Sequence, residues 1–215
     1  MRQLVRTAPA ALPAVLRAPL AMSAALATAV LVALGILHFR DSGLTGIDAA
    51  LLPSIDGVRP PWRHVALVFD FGGEPVGSVI LIALLSGVCW LLRQVRTAVL
   101  TVAGVVVTVA VTTVLKPVVG RTIHGEFLSY PSGHTAMATA LALVIGLLLT
   151  ERMGLGRAAG VALSLGLALV AGVAMGWAEV ALGAHYPTDA LGGFCAALAA
   201  VPGTAWVLDR VADRL

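Results

Sequence analysis

Long apolar runs separated by short polar segments dominate the sequence after residue 19. Six runs hold 17 or more residues with at most one charged side chain. About 20 apolar residues cross a bilayer core of about 30 Å, because a helix rises about 1.5 Å per residue. The predicted spans are residues 20–39, 75–92, 97–115, 134–150, 158–177 and 189–208. The pattern predicts an all-α fold, an integral membrane bundle of six transmembrane helices.

Two segments between the first and second spans do not fit this pattern. Residues 64–71 are apolar but too short to span, so we predict that they lie along the membrane interface. Residues 41–63 mix prolines and glycines with aspartates and arginines, which is typical of an external loop. No stretch is polar enough to fold separately in water, so we expect residues 1–215 to form a single membrane domain.

Composition agrees with the membrane prediction and argues against a soluble domain or a nucleic-acid-binding protein. Hydrophobic residues make up 59% of the chain and charged residues 12%, against about 25% charged in soluble domains. Thirteen of the fourteen cations are scattered arginines, and no basic run indicates nucleic-acid binding. Cys89 and Cys195 both fall in apolar runs, so we interpret them as packing residues.

The charges also predict how the bundle is oriented. Arg2, Arg6 and Arg17 precede the first span as in a signal peptide, but this apolar run exceeds the usual 7–15 residues, so we expect an uncleaved helix. With six spans, nine of the fourteen basic residues share the side of both termini, which the positive-inside rule places in the cytoplasm. These nine are Arg2, Arg6, Arg17, Arg93, Arg96, Arg152, Arg157, Arg210 and Arg214. We therefore predict a multi-pass plasma-membrane protein whose second, fourth and sixth spans are preceded by outward loops.

Three polar clusters lie at the outward ends of the predicted helices. The first, Lys116 to Arg121, ends the third span; Lys116 is the only lysine in the chain. Such cations can also simply snorkel at an interface. The second cluster, Ser132-Gly133-His134, opens the fourth span. Free backbone N–H groups at a helix start attract an oxyanion, although Ser and Gly are also ordinary capping residues.

The third cluster, His185 to Asp189, opens the sixth span. A carboxylate four residues after a histidine can accept its Nδ1–H, which leaves Nε2 free to attack. The alternative is a structural His–Asp hydrogen bond at a helix N-terminus. Ionisable residues at membrane-helix ends are candidates for function, and the three clusters share one face of the membrane.

Taken in order, these clusters resemble the three signature motifs of the type 2 phosphatidic acid phosphatase superfamily. The motifs are Lys116…Arg121, Pro131-Ser132-Gly133-His134 and Gly183-Ala184-His185-Tyr186-Pro187-Thr188-Asp189, and the resemblance covers roughly residues 112–195. This superfamily includes bacterial polyprenyl-diphosphate phosphatases and, more distantly, vanadium haloperoxidases, which a membrane bundle argues against.

The resemblance implies a role for each catalytic residue. His185 would be the nucleophile that forms a phosphohistidine, Asp189 its orienting partner and His134 the acid for the leaving group. The phosphate would be held by Lys116, Arg121, Ser132 and Gly133. The resemblance thus implies a phosphatase that acts on a lipid phosphate or diphosphate, and the charge distribution predicts that its site faces outward.

The sequence departs from the family pattern at two sites. Ile123 and His124 stand where the first motif has an arginine and a proline, and Ala178 and Glu179 stand where the third has Ser-Arg. A site without two guanidiniums loses charge-assisted hydrogen bonds worth about 1.5–3 kcal/mol each. Glu179 would repel a phosphate, or it would bind a cation or a polar head group.

Three other functions remain open from the sequence. A non-hydrolytic lipid-phosphate binder or transporter would fit the missing arginines, though binding alone needs no nucleophile and acid. A serine protease using Ser132 and His185 lacks a G-x-S turn. A metal site could draw on histidines and Asp189, but the spacing matches no compact ligand pattern. We therefore expect a reaction that needs no metal and no other cofactor.

Overall fold

A computed structural model describes residues 8–214, apart from the side chain of Pro53. Arg2 and Arg6, two of the nine predicted cytoplasmic cations, lie outside the described residues. Eight α-helices form within this range, and the first follows a 3-10 turn at Ala14–Leu16. They are α1 Arg17–Leu37, α2 Gly46–Leu51, α3 Trp62–Gly73, α4 Pro75–Leu91, α5 Val95–Val119, α6 Gly133–Arg152, α7 Arg157–Ala181 and α8 Pro187–Ala212. Strands β1 (Thr122–Ile123) and β2 (Phe127–Leu128) form an antiparallel hairpin between α5 and α6.

Five helices of the described chain are long and apolar enough to cross a membrane: α1 (with its 3-10 turn), α5, α6, α7 and α8. Helices α3 and α4 together give a sixth candidate, bent by 68°. The predicted all-α membrane bundle is confirmed, and the count of six holds when this bent pair is taken as one span. Helix α3 has 12 residues, or about 18 Å, too short to span alone.

The break between α3 and α4 has a local cause. Glu74 is extended (φ −62°, ψ 154°), and Pro75 follows in the first turn of α4, where a missing N–H costs nothing. A Cβ on Gly77 would lie 1.9 Å from the Phe71 carbonyl oxygen, so the first turn of α4 passes directly against the end of α3. The bend therefore depends on a proline and a glycine close together.

Helix ends differ from the predicted spans in two places that matter for the site. Helix α5 runs past residue 115 to include Lys116, and α7 runs past residue 177 to include Glu179. Helix hydrogen bonding continues where the apolar run stops. The predicted loop 41–63 contains α2 and a 3-10 turn at Leu52–Ser54, and its Asp48 is fully buried.

Small residues let the helices around α6 pack closely. Helix α6 contacts α5, α7 and α8 and is the most buried of the five spans. A Cβ on Gly146 would lie 2.5 Å from the Ser164 Cα on α7, and one on Gly193 of α8 would lie 2.2 Å from the Ser132 carbonyl oxygen. Such close approach is the usual means by which membrane helices associate. It fixes the N-terminus of α6 against α8.

The N-terminal segment is attached to the end of the bundle where α8 terminates. Asp209 on α8 accepts backbone hydrogen bonds from Ala11 (2.9 Å) and Leu12 (3.0 Å) and pairs with Arg96 on α5 at 3.3 Å. Cys89 and Cys195 are buried and free, as expected for packing residues.

Candidate active site

The three predicted clusters meet at one end of the bundle. The C-terminus of α5 and the N-termini of α6 and α8 converge there, and the C-terminus of α7 and the end of α3 complete the pocket. Residues far apart in sequence are therefore brought into contact.

His185 and Asp189 lie side by side at the start of α8. His185 Nδ1 is 3.7 Å from Asp189 Oδ2, and the His185 residue is 6% exposed. The Asp189 carboxylate is fully buried and accepts the Tyr186 backbone N–H at 3.0 Å. The hydrogen bond from Tyr186 and the helix N-terminus both hold a carboxylate in this place. The His185 ring thus has its Nδ1 side towards Asp189, but at 3.7 Å the predicted hydrogen bond is not formed, and Nδ1 has no hydrogen-bond partner among the described residues.

Arg121 is held behind Asp189. Its side chain is fully buried, and Nη1 donates to Asp189 Oδ1 and Thr188 Oγ1, each at 2.7 Å. Nη2 donates to Asp48 Oδ2 at 2.7 Å, and the guanidinium lies 4.4 Å from the centre of the Tyr186 ring. The sequence predicts a phosphate-binding role for this arginine, but its geometry is that of a residue which fixes Asp189.

Asp48 completes this buried network. Its two oxygens accept hydrogen bonds from the Thr188 backbone N–H, the Thr188 hydroxyl, the Thr45 hydroxyl and Arg121. Burial alone would raise the pKa of Asp48, but the hydrogen bonds from Arg121, Thr188 and Thr45 bring it below its ordinary value. Sequence reasoning missed Asp48; the only local signal was the Thr45-x-x-Asp48 capping pattern.

His134 stands in the first turn of α6, between two carboxylates. Its Nε2 is 3.8 Å from Asp70 Oδ1 on α3, and its Nδ1 is 3.8 Å from Glu179 Oε2 on α7. The imidazole is 27% exposed and lies directly against Gly73, where a Cβ would come within 2.0 Å of the ring. Asp70 carries no motif, and sequence reasoning missed it.

Glu179 links the two histidines. Its Oε2 is 3.6 Å from His185 Nε2 as well as 3.8 Å from His134 Nδ1, and the residue is only 1% exposed. A carboxylate therefore stands beside the nitrogen that is expected to attack. Glu179, one of the departures from the family pattern, therefore lies beside both histidines.

Of the remaining predicted residues, Lys116 and Gly133 line a cavity together with His134. Lys116 Nζ donates to the Leu128 carbonyl at 3.2 Å, and the lysine is close enough to Asp189 and Glu179 to interact electrostatically with both. Ser132 caps α6 by accepting the Thr135 N–H at 3.3 Å, and Gly133 is the first residue of that helix. Ile123 is buried in β1, and His124 Nε2 is 2.8 Å from the Gly183 carbonyl oxygen.

The family of the chain follows from a family model that matches its sequence. The family model described as the PAP2 superfamily matches residues 97–212, more than half of the chain. The chain belongs to the PAP2 superfamily. A crystal structure described as the first transmembrane PAP2 type phosphatidylglycerolphosphate phosphatase from Bacillus subtilis is similar, with a TM-score of 0.68 and 20% identity over 90% of this chain and 97% of that one. No curated protein sequence matches the chain.

Membership of the PAP2 superfamily confirms the resemblance seen in the motifs. It supports a membrane lipid phosphatase, which is a hydrolase, and the structural likeness supports the membrane fold. The polyprenyl-diphosphate branch of the family remains a prediction. The roles of the individual residues also remain predictions.

This PAP2 chain has an apolar groove that opens sideways from the pocket. The groove has a volume of about 800 Å³ and lies between α4, α5 and α6. Valine is the commonest residue of its walls, which also include Thr112 and Thr113, and its polar end is formed by Lys116, Gly133 and His134. A hydrocarbon chain in the groove would bring its head group to His134.

Proposed function

We propose that this protein hydrolyses a lipid phosphate or diphosphate on the extracytoplasmic face of the membrane through a phosphohistidine at His185. The observation that carries the proposal is the lateral apolar groove, because it ends at Lys116 and His134. A substrate with an apolar tail and an anionic head fits this division. A soluble phosphate ester would make no use of the apolar walls.

The pocket geometry supports a two-step reaction. His185 Nε2 attacks phosphorus while Asp189 holds the opposite nitrogen, and the bond from phosphorus to the lipid oxygen breaks. His134 gives the leaving oxygen its proton. Water then attacks the phosphohistidine, the P–N bond breaks and phosphate is released. In this proposal neither step needs a metal ion to generate the nucleophile.

The phosphate would be held mainly by Lys116, the Ser132 hydroxyl and the backbone N–H groups at the start of α6. Arg121 contributes indirectly in this proposal, because its guanidinium already binds Asp189 and Asp48. The substrate class proposed is an envelope lipid carrier such as a polyprenyl phosphate or diphosphate. The excess of cations at the opposite end of the bundle supports an outward-facing pocket.

A second candidate is a lipid-phosphate binder or transporter without turnover. Glu179 in the pocket and Ile123 at the usual arginine position favour it, because both changes weaken the attraction for an anion. The facing pair His134 and His185 favours the hydrolase, since binding alone needs neither.

The deciding experiment is phosphate release by purified full-length protein in detergent. Polyprenyl diphosphate, phosphatidylglycerophosphate and phosphatidic acid would be compared, with His185→Ala as the test variant. His64→Ala removes an exposed histidine of α3 outside the pocket and serves as the matched control.

We expect turnover by wild type and His64→Ala and none by His185→Ala. Acid-labile, base-stable phosphate should be trapped on the protein after a rapid quench, except in His185→Ala. Lipid binding without phosphate release in wild type would support the transporter, and turnover by His185→Ala would overturn the covalent route.

A further inference from the structure

We propose that Asp70, His134 and Glu179 form a binding site for one divalent first-row cation, such as Mn²⁺ or Zn²⁺. Each residue offers one ligand atom, and these atoms all lie within 4.8 Å of one another. The three residues come from different helices, α3, α6 and α7, so the fold itself brings them together.

The buried carboxylate of Glu179 is the second observation that points to a cation. Glu179 is 1% exposed, and its Oε1 has no hydrogen-bond partner within residues 8–214. Burying a carboxylate oxygen without a hydrogen bond is costly. Asp70 adds a second acidic group to the same cluster, 3.8 Å from His134 Nε2. A dication between the two carboxylates would neutralise both.

The ligand types favour a particular class of ion. Mg²⁺ and Ca²⁺ prefer oxygen ligands throughout, whereas an imidazole with two carboxylates suits Mn²⁺, Fe²⁺ or Zn²⁺. Ligand atoms about 2.1 Å from such an ion lie at most about 4.2 Å apart. Closing 4.8 Å to that distance needs a small movement, which Asp70 can make because its side chain is 27% exposed.

The cation would act as a brake on the hydrolysis described above, and this consequence rests on the proposed function. A nitrogen of His134 that binds the cation cannot also carry the proton for the leaving group. Cation binding should therefore slow turnover, and a chelator should restore it. The phosphatase is then active without the ion and inhibited with it.

Direct binding of the metal alone tests the site independently of activity. Full-length protein in detergent would be titrated with Mn²⁺ by electron paramagnetic resonance and with Zn²⁺ by calorimetry. We expect one ion per chain, with affinity lowered at least about tenfold in Glu179→Gln and in Asp70→Asn. Glu126→Gln removes an exposed carboxylate of the β1–β2 hairpin and should leave binding unchanged. Asp70→Asn keeps the test valid if Glu179→Gln fails to fold.

The outcomes separate this inference from the proposed function. Equal binding by wild type and both ligand variants, or no binding at one ion per chain, overturns the cation site even if the lipid phosphatase is active. Stoichiometric binding lost in both variants supports the site even if no lipid is hydrolysed, in which case the proposed function fails alone. Turnover unaffected by saturating Mn²⁺ and Zn²⁺ would refute the brake.

Discussion

Gly73 lies so close to His134 that it leaves no space for a side chain. A Cβ there would meet the imidazole ring, so Gly73→Ala must displace His134 or the end of α3. We expect turnover to fall about 100-fold, because a shift of about 1 Å in a catalytic group costs that much. Gly72→Ala is the matched control, since its Cβ would make only an ordinary 3.6 Å contact with Leu81. Steady-state rates of phosphate release measure both; equal rates would contradict the role assigned to the His134 position.

Asp48 gives a prediction about stability. Asp48→Asn removes the charge that faces Arg121, and we expect the free energy of unfolding at neutral pH to fall by about 1.5–3 kcal/mol. Asp56→Asn, an exposed carboxylate of the same loop, should change it little. Unfolding of purified protein followed in detergent provides the measurement.

The pH dependence of the Asp48 effect follows from the lowered pKa of its carboxyl group. A carboxyl group whose pKa is lower in the folded state stabilises the fold above its ordinary value of 3.8 and loses this effect as the pH falls through the folded-state pKa. The difference between wild type and Asp48→Asn should therefore be constant at neutral pH and shrink in acid. A difference that grows in acid would contradict the buried ion pair.

Sequence reasoning finds residues with a local signal and misses those that depend on packing. His134, His185 and Asp189 stand at helix starts in recognisable short motifs, and the structure brings them to one pocket. Asp70 reaches His134 only because α3 folds across from 64 residues upstream, and no spacing rule describes that contact. The position of Arg121 against Asp189 likewise needed the full fold.

At the scale of helices, the close packing of α6 on α7 is predicted to require the glycine at position 146. Gly146→Ala would place a Cβ 2.5 Å from the Ser164 Cα, which the backbone cannot accommodate without moving. We expect a loss of about 1–3 kcal/mol in the free energy of unfolding. Gly166→Ala on α7 meets open space and should be neutral or slightly stabilising. Thermal unfolding in detergent compares the two variants. Equal unfolding midpoints would contradict the prediction that this contact is needed for stability.

Apolar length predicted most helices well because bilayer thickness sets that length. Apolar length gave the wrong helix ends where polar residues continue a helix, as at Lys116 and Glu179. It also did not predict that the short helix α3 joins α4 at a bend. The bend at Glu74 was visible only as a proline and neighbouring glycines, which mark a helix start as readily as a hinge.

For the whole molecule, the charge distribution predicts that the pocket faces outward from the cell. The hairpin between β1 and β2 exposes Glu126, and the turn after α6 exposes Met153 at the other end of that helix. In a background lacking Cys89 and Cys195, we expect Glu126→Cys to react with an impermeant thiol reagent on intact cells. Met153→Cys should react only after permeabilisation. The reverse pattern would place the pocket in the cytoplasm.

The sideways opening of the groove between α4, α5 and α6 determines which substrate concentration sets the rate of the reaction. A substrate that enters through such an opening never leaves the bilayer, so encounters occur by diffusion in two dimensions. The rate should then follow the mole fraction of substrate in the membrane and be insensitive to its bulk molarity. Diluting the substrate with neutral lipid at fixed total amount should lower the rate in proportion, whereas adding buffer to the same vesicles should leave it unchanged. The lipid product, an alcohol or a monophosphate according to the substrate, would remain in the lipid plane while inorganic phosphate is released to water.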